Sequence, residues 1–216
     1  MTNNAPVLYL ASKSPRRREI LAGMGIADVR VLHAGPAVLT AFEGDETQRP
    51  GESCEDYVVR TACDKARQAL ARIRAENLPP LPVLAADTVV ICEGVILGKP
   101  ADRGEARRFM QTLSGRTHEV RTAVAVADGV SDELVTAVSV SQVEFAPLTD
   151  AQIEAYIACD EPYDKAGGYA VQGLAGLFIR RIAGSYSGIM GLPVFETAAL
   201  LGKVAPHLLP ACARGA

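Results

Sequence analysis

Several things are missing from this chain, and each absence removes a class of function. The five cysteines, Cys54, Cys63, Cys92, Cys159 and Cys212, are odd in number, scattered and never spaced as C-x-x-C, so neither a disulfide framework nor a zinc site is expected. No run approaches the roughly 18 apolar residues a membrane span needs. No basic segment followed by a signal-length apolar core opens the sequence. The expectation is a cytoplasmic, reducing compartment with no membrane partner. The net charge of −3 argues against broad binding to nucleic acid, leaving only a local basic cleft open. There is no internal repeat and no low-complexity tract. No Gly-Lys-Ser/Thr opens a helix, and no dinucleotide fingerprint sits between a strand and a helix. What is present is ordinary: 49% hydrophobic and 22% charged residues over 216 positions, enough for one domain with two lobes.

The chain is organised around residues 7–24. Val7, Leu8, Tyr9 and Leu10 form a short apolar strand, Ala11-Ser12-Lys13 breaks it, and Ser14-Pro15 opens a helix with serine in the capping position. Ile20, Leu21 and Met24 make that helix's apolar stripe, and Gly25 supplies its stop. Arg16, Arg17 and Arg18 crowd the first turn, where the helix dipole favours anions. Ser12, Ser14 and Arg16 with free amides make a phosphate cradle. Arg17 and Arg18 singly read equally well as solvated surface.

Residues 33–51 lack any sustained period and read as a long loop, with the acidic group Glu43, Asp45 and Glu46 inside it. A solvated loop is the ordinary reading of those acids. A helix capped at Ser53 runs to about Ala75. Val58, Ala62, Lys65 and Ala69 share its inward stripe, with Arg60, Arg67 and Arg74 on the outer face. An inward lysine wants an anion, unless it snorkels to the core rim. Residues 83–91, VLAADTVVI, read as a central strand buried on both faces, and Asp87 interrupts it. A carboxylate there costs several kcal/mol unless paired, metal-bound or protonated. A metal-associated acid or general base explains it, and an aspartate structuring a neighbouring loop is the alternative.

Residues 95–97 form a short strand ended by Gly98-Lys99-Pro100, and a core-packing helix capped by Asp102 and Glu105 follows. Residues 117–127, with Val120, Thr122, Val124 and Val126 on one face, and residues 133–145 predict an antiparallel hairpin. Thr149 and Gln152 cap another short helix. Residues 164–176, DKAGGYAVQGLAG, hold Lys165 and Gln172 among glycines that let backbone approach a ligand. Residues 177–182 predict a strand, 184–191 a loop, and Pro193 starts a last helix. Residues 203–216 are expected to form a partly disordered tail.

Read together, ASKSPRR, the DET of Asp45-Glu46-Thr47, YVVRTACDKA, AADTVV, GKP, LSGRTHEV, DKAGGYAVQG and GSYSGIMGLP, in that order from about Leu8 to Leu201, make the sequence resemble the Maf family of nucleoside triphosphate pyrophosphatases. The segment of residues 31–44 is longer than the short acidic approach to DET usual there. The resemblance implies a single domain over residues 1–216, of α/β class. It would be a long, twisted mixed sheet flanked by helices, in two lobes with a cleft between them. It implies hydrolysis of a nucleoside triphosphate to the monophosphate and pyrophosphate with a divalent cation, Mg²⁺ or Mn²⁺, and a homodimer as is common in the family. Arg16, Thr88 and Gln172 match the branch acting on dTTP and UTP, not the branch preferring 7-methylguanosine triphosphate, which has tryptophan, glutamine and glutamate at those places.

A triphosphate carries about four negative charges, and Arg16, Lys65, Lys99 and Lys165 are the candidates to neutralise them. Asp87 is expected to orient or deprotonate the attacking water and to touch the metal, with Glu46 as a second carboxylate. Gln172 offers the donor and acceptor that match the carbonyl and imide N–H of uracil or thymine. Two other readings stay open: a pyrophosphatase for modified or methylated nucleotides, and a non-catalytic nucleotide or nucleic-acid binding protein linked to cell division.

Overall fold

The computed structural model describes residues 5–32 and 48–213. In chain order these form β1 (Leu8–Ala11), α1 (Pro15–Gly23), β2 (Val29–Val31), α2 (Cys54–Ala75), β3 (Val83–Cys92), β4 (Val95–Leu97), α3 (Arg103–Leu113), β5 (Thr117–Ala127), β6 (Val135–Phe145), α4 (Asp150–Ile157), β7 (Ile179–Ala183), α5 (Tyr186–Ile189) and α6 (Val194–Val204). The fold is α/β, with a seven-stranded mixed sheet flanked by helices. Its strand order is β2-β1-β3-β5-β6-β7, and β4 pairs with β3. β1 runs parallel to both β2 and β3, while the β3/β4 and β6/β7 pairs are antiparallel. No helix among the described residues is long and apolar enough to cross a membrane.

The described residues divide into two compact units: residues 5–32, 48–87, 123–138 and 191–213, and residues 88–122 and 139–190. In the first, Leu8, Leu10, Leu84, Ala86, Val124 and Val126 present the sheet to Leu21 of α1 and to Leu200 and Leu201 of α6. In the second, Val90, Val120, Val143 and Phe145 pack with Met110 and Leu113 of α3 and Tyr156 and Ile157 of α4.

Local sequence explains most boundaries. α1 stops at Gly25, whose φ of +86° admits a double closure: Gly25 N–H donates to Ala22 O at 3.0 Å and Ile26 N–H to Leu21 O at 2.9 Å. Buried Ile26 and Leu21 share one core cluster, the apolar contact that accompanies this ending. Ser53 caps α2 by accepting from Asp56 N–H at 3.0 Å, and Thr149 with Gln152 forms the expected capping box on α4. β3 is buried along its whole length except at Thr88, as its apolar sequence requires.

Several features differ from the reading of the sequence. Ser14 occupies the position before α1 but its side chain makes no cap bond; its N–H instead donates to Ser12 Oγ at 3.2 Å. Residues 174–177 form a short 3₁₀ turn, so the last strand begins two residues later than expected, at Ile179. The segment expected as a loop at 184–191 contains the helical turn α5, capped by Ser185, which accepts from Gly188 N–H. β2 was not foreseen, being only three residues long and half-exposed. Of the expected loose tail, residues 206–213 form two 3₁₀ turns, and Leu209 is buried against the first unit's core; residues 214–216 lie outside the described residues.

Candidate functional site

The first unit gathers the acid and one of the predicted lysines. Asp87 is 8% exposed on β3, and Lys65 Nζ donates to its Oδ1 at 2.6 Å. Thr61, one helical turn before Lys65 on α2, stands 2.8 Å from Asp87 Oδ2, 2.8 Å from the Tyr57 carbonyl and 3.1 Å from the Val58 carbonyl, so its single hydroxyl proton is shared among three acceptors. A spacing of four on α2 therefore aims both residues at one carboxylate. The inward reading of Lys65 agrees with this geometry.

The neighbouring arginine turn resolves differently from the sequence. Arg17, left open there as solvated surface, is 9% exposed. Its Nε donates to Gly191 O at 2.7 Å, and its Nη1 donates to Ser12 Oγ at 2.9 Å and to Ala86 O at 2.7 Å. One guanidinium nitrogen thus ties the turn after β1 to the residue preceding Asp87. The parallel register, with Ala11 opposite Ala85, brings those two segments side by side. Arg16 is half-buried and Arg18 exposed. Arg60 is also less exterior than its outer-face assignment: its side chain is only 13% exposed and pairs with Glu52 at 2.6 Å.

The second unit holds Thr88, Lys99, Lys165 and Gln172. Thr88 and Thr122 hydroxyls lie 2.9 Å apart, and because Thr122 donates to Gly188 O at 2.8 Å, Thr88 is the donor between them. The GKP and DKAGG motifs meet: Gly167 N–H donates to Gly98 O at 2.9 Å. Lys99 itself is exposed. Lys165 donates to Glu161 O at 2.9 Å and pairs with Asp164. Gln172 is exposed on the glycine-rich segment.

Two features of this unit escaped the sequence. The Glu161 carboxylate sits beneath the glycine-rich turn and accepts from Leu174 N–H at 2.7 Å, Ala175 N–H at 3.1 Å, Ala170 N–H at 3.4 Å and the Tyr156 hydroxyl at 2.9 Å. Burial pushes its pKa up, but these donations outweigh it and hold the carboxyl below its usual range. No periodicity announces a residue in an irregular turn. His118, 2% exposed, meets the Tyr169 hydroxyl at 2.7 Å and stands edge-on to Phe145 and Tyr169. Burial lowers its pKa to about 4. A signal for His118 was present, since it shares the alternation of Val120, Thr122 and Val124.

Among the described residues no group of three His, Cys, Asp or Glu side chains gathers as a metal centre. Asp87 offers a hard oxygen donor of the kind Mg²⁺ or Mn²⁺ takes while keeping several waters. Glu46, expected as the second carboxylate, lies outside the described residues, as does the rest of the DET motif.

Comparison with known proteins bears on the same segments. A dTTP/UTP pyrophosphatase of Bordetella avium is 54% identical over 202 residues, spanning 93% of this chain and 96% of that protein. One of Burkholderia pseudomallei is 50% identical over 91% of this chain and 92% of its own. Among solved structures, the Staphylococcus aureus Ham1 protein matches with a TM-score of 0.42 at 13% identity, over 79% of this chain and 90% of that one. The family model described as Maf-like protein matches residues 7–204, taking in the arginine turn, the Lys65–Asp87 pair and the glycine-rich segment, and the chain belongs to that family.

Proposed function

We propose that this protein hydrolyses nucleoside triphosphates, dTTP and UTP preferred, to the monophosphate and pyrophosphate, in the cytoplasm. The observation that carries the reading is the buried Asp87 carboxylate held by Lys65 at 2.6 Å in a chain about half identical to proteins named for that activity. Water adds its oxygen to the α-phosphorus, the α–β bridging bond breaks, and the bridging oxygen leaves with pyrophosphate. Asp87 orients the water and takes up its proton, a role for which a carboxylate fixed at both oxygens is well suited.

Lys65 holds Asp87 in place and contributes positive charge near the reacting phosphate. Arg16, Ser12 and Ser14 are assigned to the phosphates, with buried Arg17 fixing Ser12. Lys99 is assigned with Asp87 and Lys65 to catalysis, Thr88 and Lys165 to substrate binding, and Gln172 to the base, whose carbonyl and imide N–H it complements. Asp87, with Glu46 as the second carboxylate, would hold Mg²⁺ or Mn²⁺, which when bound supplies charge neutralisation on the phosphate oxygens. A homodimer belongs to the proposal and is read by light scattering.

The test is phosphate release coupled to inorganic pyrophosphatase across a nucleotide panel that includes methylated bases, with chelator as control. Asp87→Asn is expected to lower kcat by about 10² to 10⁴ while nucleotide binding persists. Near wild-type turnover in that variant rejects the assignment. Equal rates on dTTP, dCTP and methylated nucleotides reject the stated preference.

A further inference from the structure

The geometry points to Glu161 as a positioning residue for nucleotide selectivity: its carboxylate fixes the turn that presents Gln172, and its carbonyl holds Lys165. This deepens the proposed function and rests on it. The backbone amides of residues 170, 174 and 175 converge on one carboxylate, so these three bonds to Glu161 bracket Gln172 on both sides in sequence. A second contact closes the turn, Gly173 N–H donating to Ala170 O at 3.0 Å. The main-chain carbonyl of Glu161 accepts from Lys165 Nζ at 2.9 Å. Both candidate substrate contacts of the segment are therefore tied to one residue that need not touch substrate.

Gly173 is part of the device. A Cβ at that position would lie 2.2 Å from Glu161 Oε2 and 2.6 Å from its carboxyl carbon, so only glycine lets the carboxylate lie flat beneath the turn. Tyr156 completes it: its hydroxyl donates to Glu161 Oε1 at 2.9 Å, and the hydroxyl also lies 3.2 Å from Gly168 O. An anion accepting several amide donors is strongly held, whereas a neutral amide side chain would turn N–H against N–H. The turn is thus set by the charge and shape of Glu161.

Three variants test this: Glu161→Gln, which removes the charge; Gly173→Ala, which displaces the carboxylate but leaves it ionisable; and Tyr156→Phe, which deletes one donor. Hydrogen exchange of the peptide covering residues 168–178 reads the turn without reference to activity. Steady-state kinetics on dTTP, UTP and dCTP read its consequence. Glu161→Gln and Gly173→Ala are each expected to lose exchange protection and to raise KM for dTTP and UTP about tenfold, with kcat within about threefold and the dTTP-to-dCTP ratio of kcat/KM reduced. Tyr156→Phe is expected to do the same to a smaller extent. Unchanged protection in Glu161→Gln overturns the inference, and so does lost protection with an unchanged KM and nucleotide ratio. Should Glu161→Gln fail to fold, Gly173→Ala and Tyr156→Phe decide by the same readings. A wild-type protein inactive on every nucleotide refutes the pyrophosphatase reading itself, and with it the selectivity role, before any variant is compared.

Discussion

His118 makes the stability of this protein depend on pH in a window where few other groups titrate. Its ring is 2% exposed, wedged edge-on against Phe145 and Tyr169, and burial pushes its pKa down to about 4. In an unfolded chain the same imidazole titrates near 6.5. The folded state therefore binds fewer protons than the unfolded state between those values, so stability is full above about pH 6.5 and falls as the pH drops toward 4. At pH 5 the unfolded imidazole is almost wholly protonated and the folded one almost wholly neutral, which favours unfolding by a factor of about 30, or about 2 kcal/mol. Carboxylates held low, such as Glu52 at about 2, lose their contribution only below their unfolded range, under about pH 4.5. Urea unfolding followed by far-UV circular dichroism at pH 7 and pH 5 should show that loss in the wild type. His118→Gln keeps a partner for the Tyr169 hydroxyl and leaves His33 and His207 in place, so it should be less stable at pH 7 yet lose about 2 kcal/mol less on acidification. The same slope in both proteins, or no slope in the wild type, refutes the argument.

Two further outcomes follow from the first unit. Lys65→Met strands Asp87 in the sheet without its counter-charge and should destabilise by about 3 kcal/mol, whereas Asp87→Asn should cost less, because Lys65 has a longer stem with which to reach water; thermal melts of the two variants distinguish the order. Arg17→Lys keeps the charge but not the fork that serves Ser12, Ala86 and Gly191 together, and should cost about 1 to 2 kcal/mol while raising KM for dTTP through the loosened Ser12.

Much of the fold was legible because its signals are local. Ser53, Thr149 with Gln152, and Gly25 each mark a helix end by the bonds they make, and the unbroken apolar run of β3 could only be a strand covered on both faces. Lys65 was legible for the same reason, since helical spacing alone turned it toward the sheet. Arg17 was not. The acceptors of its Nε and Nη1 lie 5, 69 and 174 residues away, and nothing near it in sequence distinguishes it from Arg16 or Arg18. Glu161 was hidden too, because three of the four donors to its carboxylate are backbone amides of an irregular turn, and amides carry no residue identity to read. Thr61 could have been found, lying one turn before Lys65 on the inward stripe.

The Lys65–Asp87 pair is hard to justify on stability alone. A buried ion pair roughly breaks even against well-packed apolar side chains of similar size, and often does worse. Here α2 gives two positions of its inward face, Thr61 and Lys65, to a single carboxylate in the middle of a strand whose other residues are almost all buried and apolar. Valine or leucine at those three positions would continue the surrounding core and remove the cost of desolvating two charges. Buried Arg17 beside it gives its Nε and Nη1 to the Gly191 and Ala86 carbonyls and the Ser12 hydroxyl, placing a second desolvated cation close to the pair. A core that only had to be stable has no use for that arrangement, whereas a site that handles a proton beside a polyanion needs a fixed carboxylate with cations close to it. The physical cost of the pair is therefore itself an argument that Asp87 is kept for chemistry.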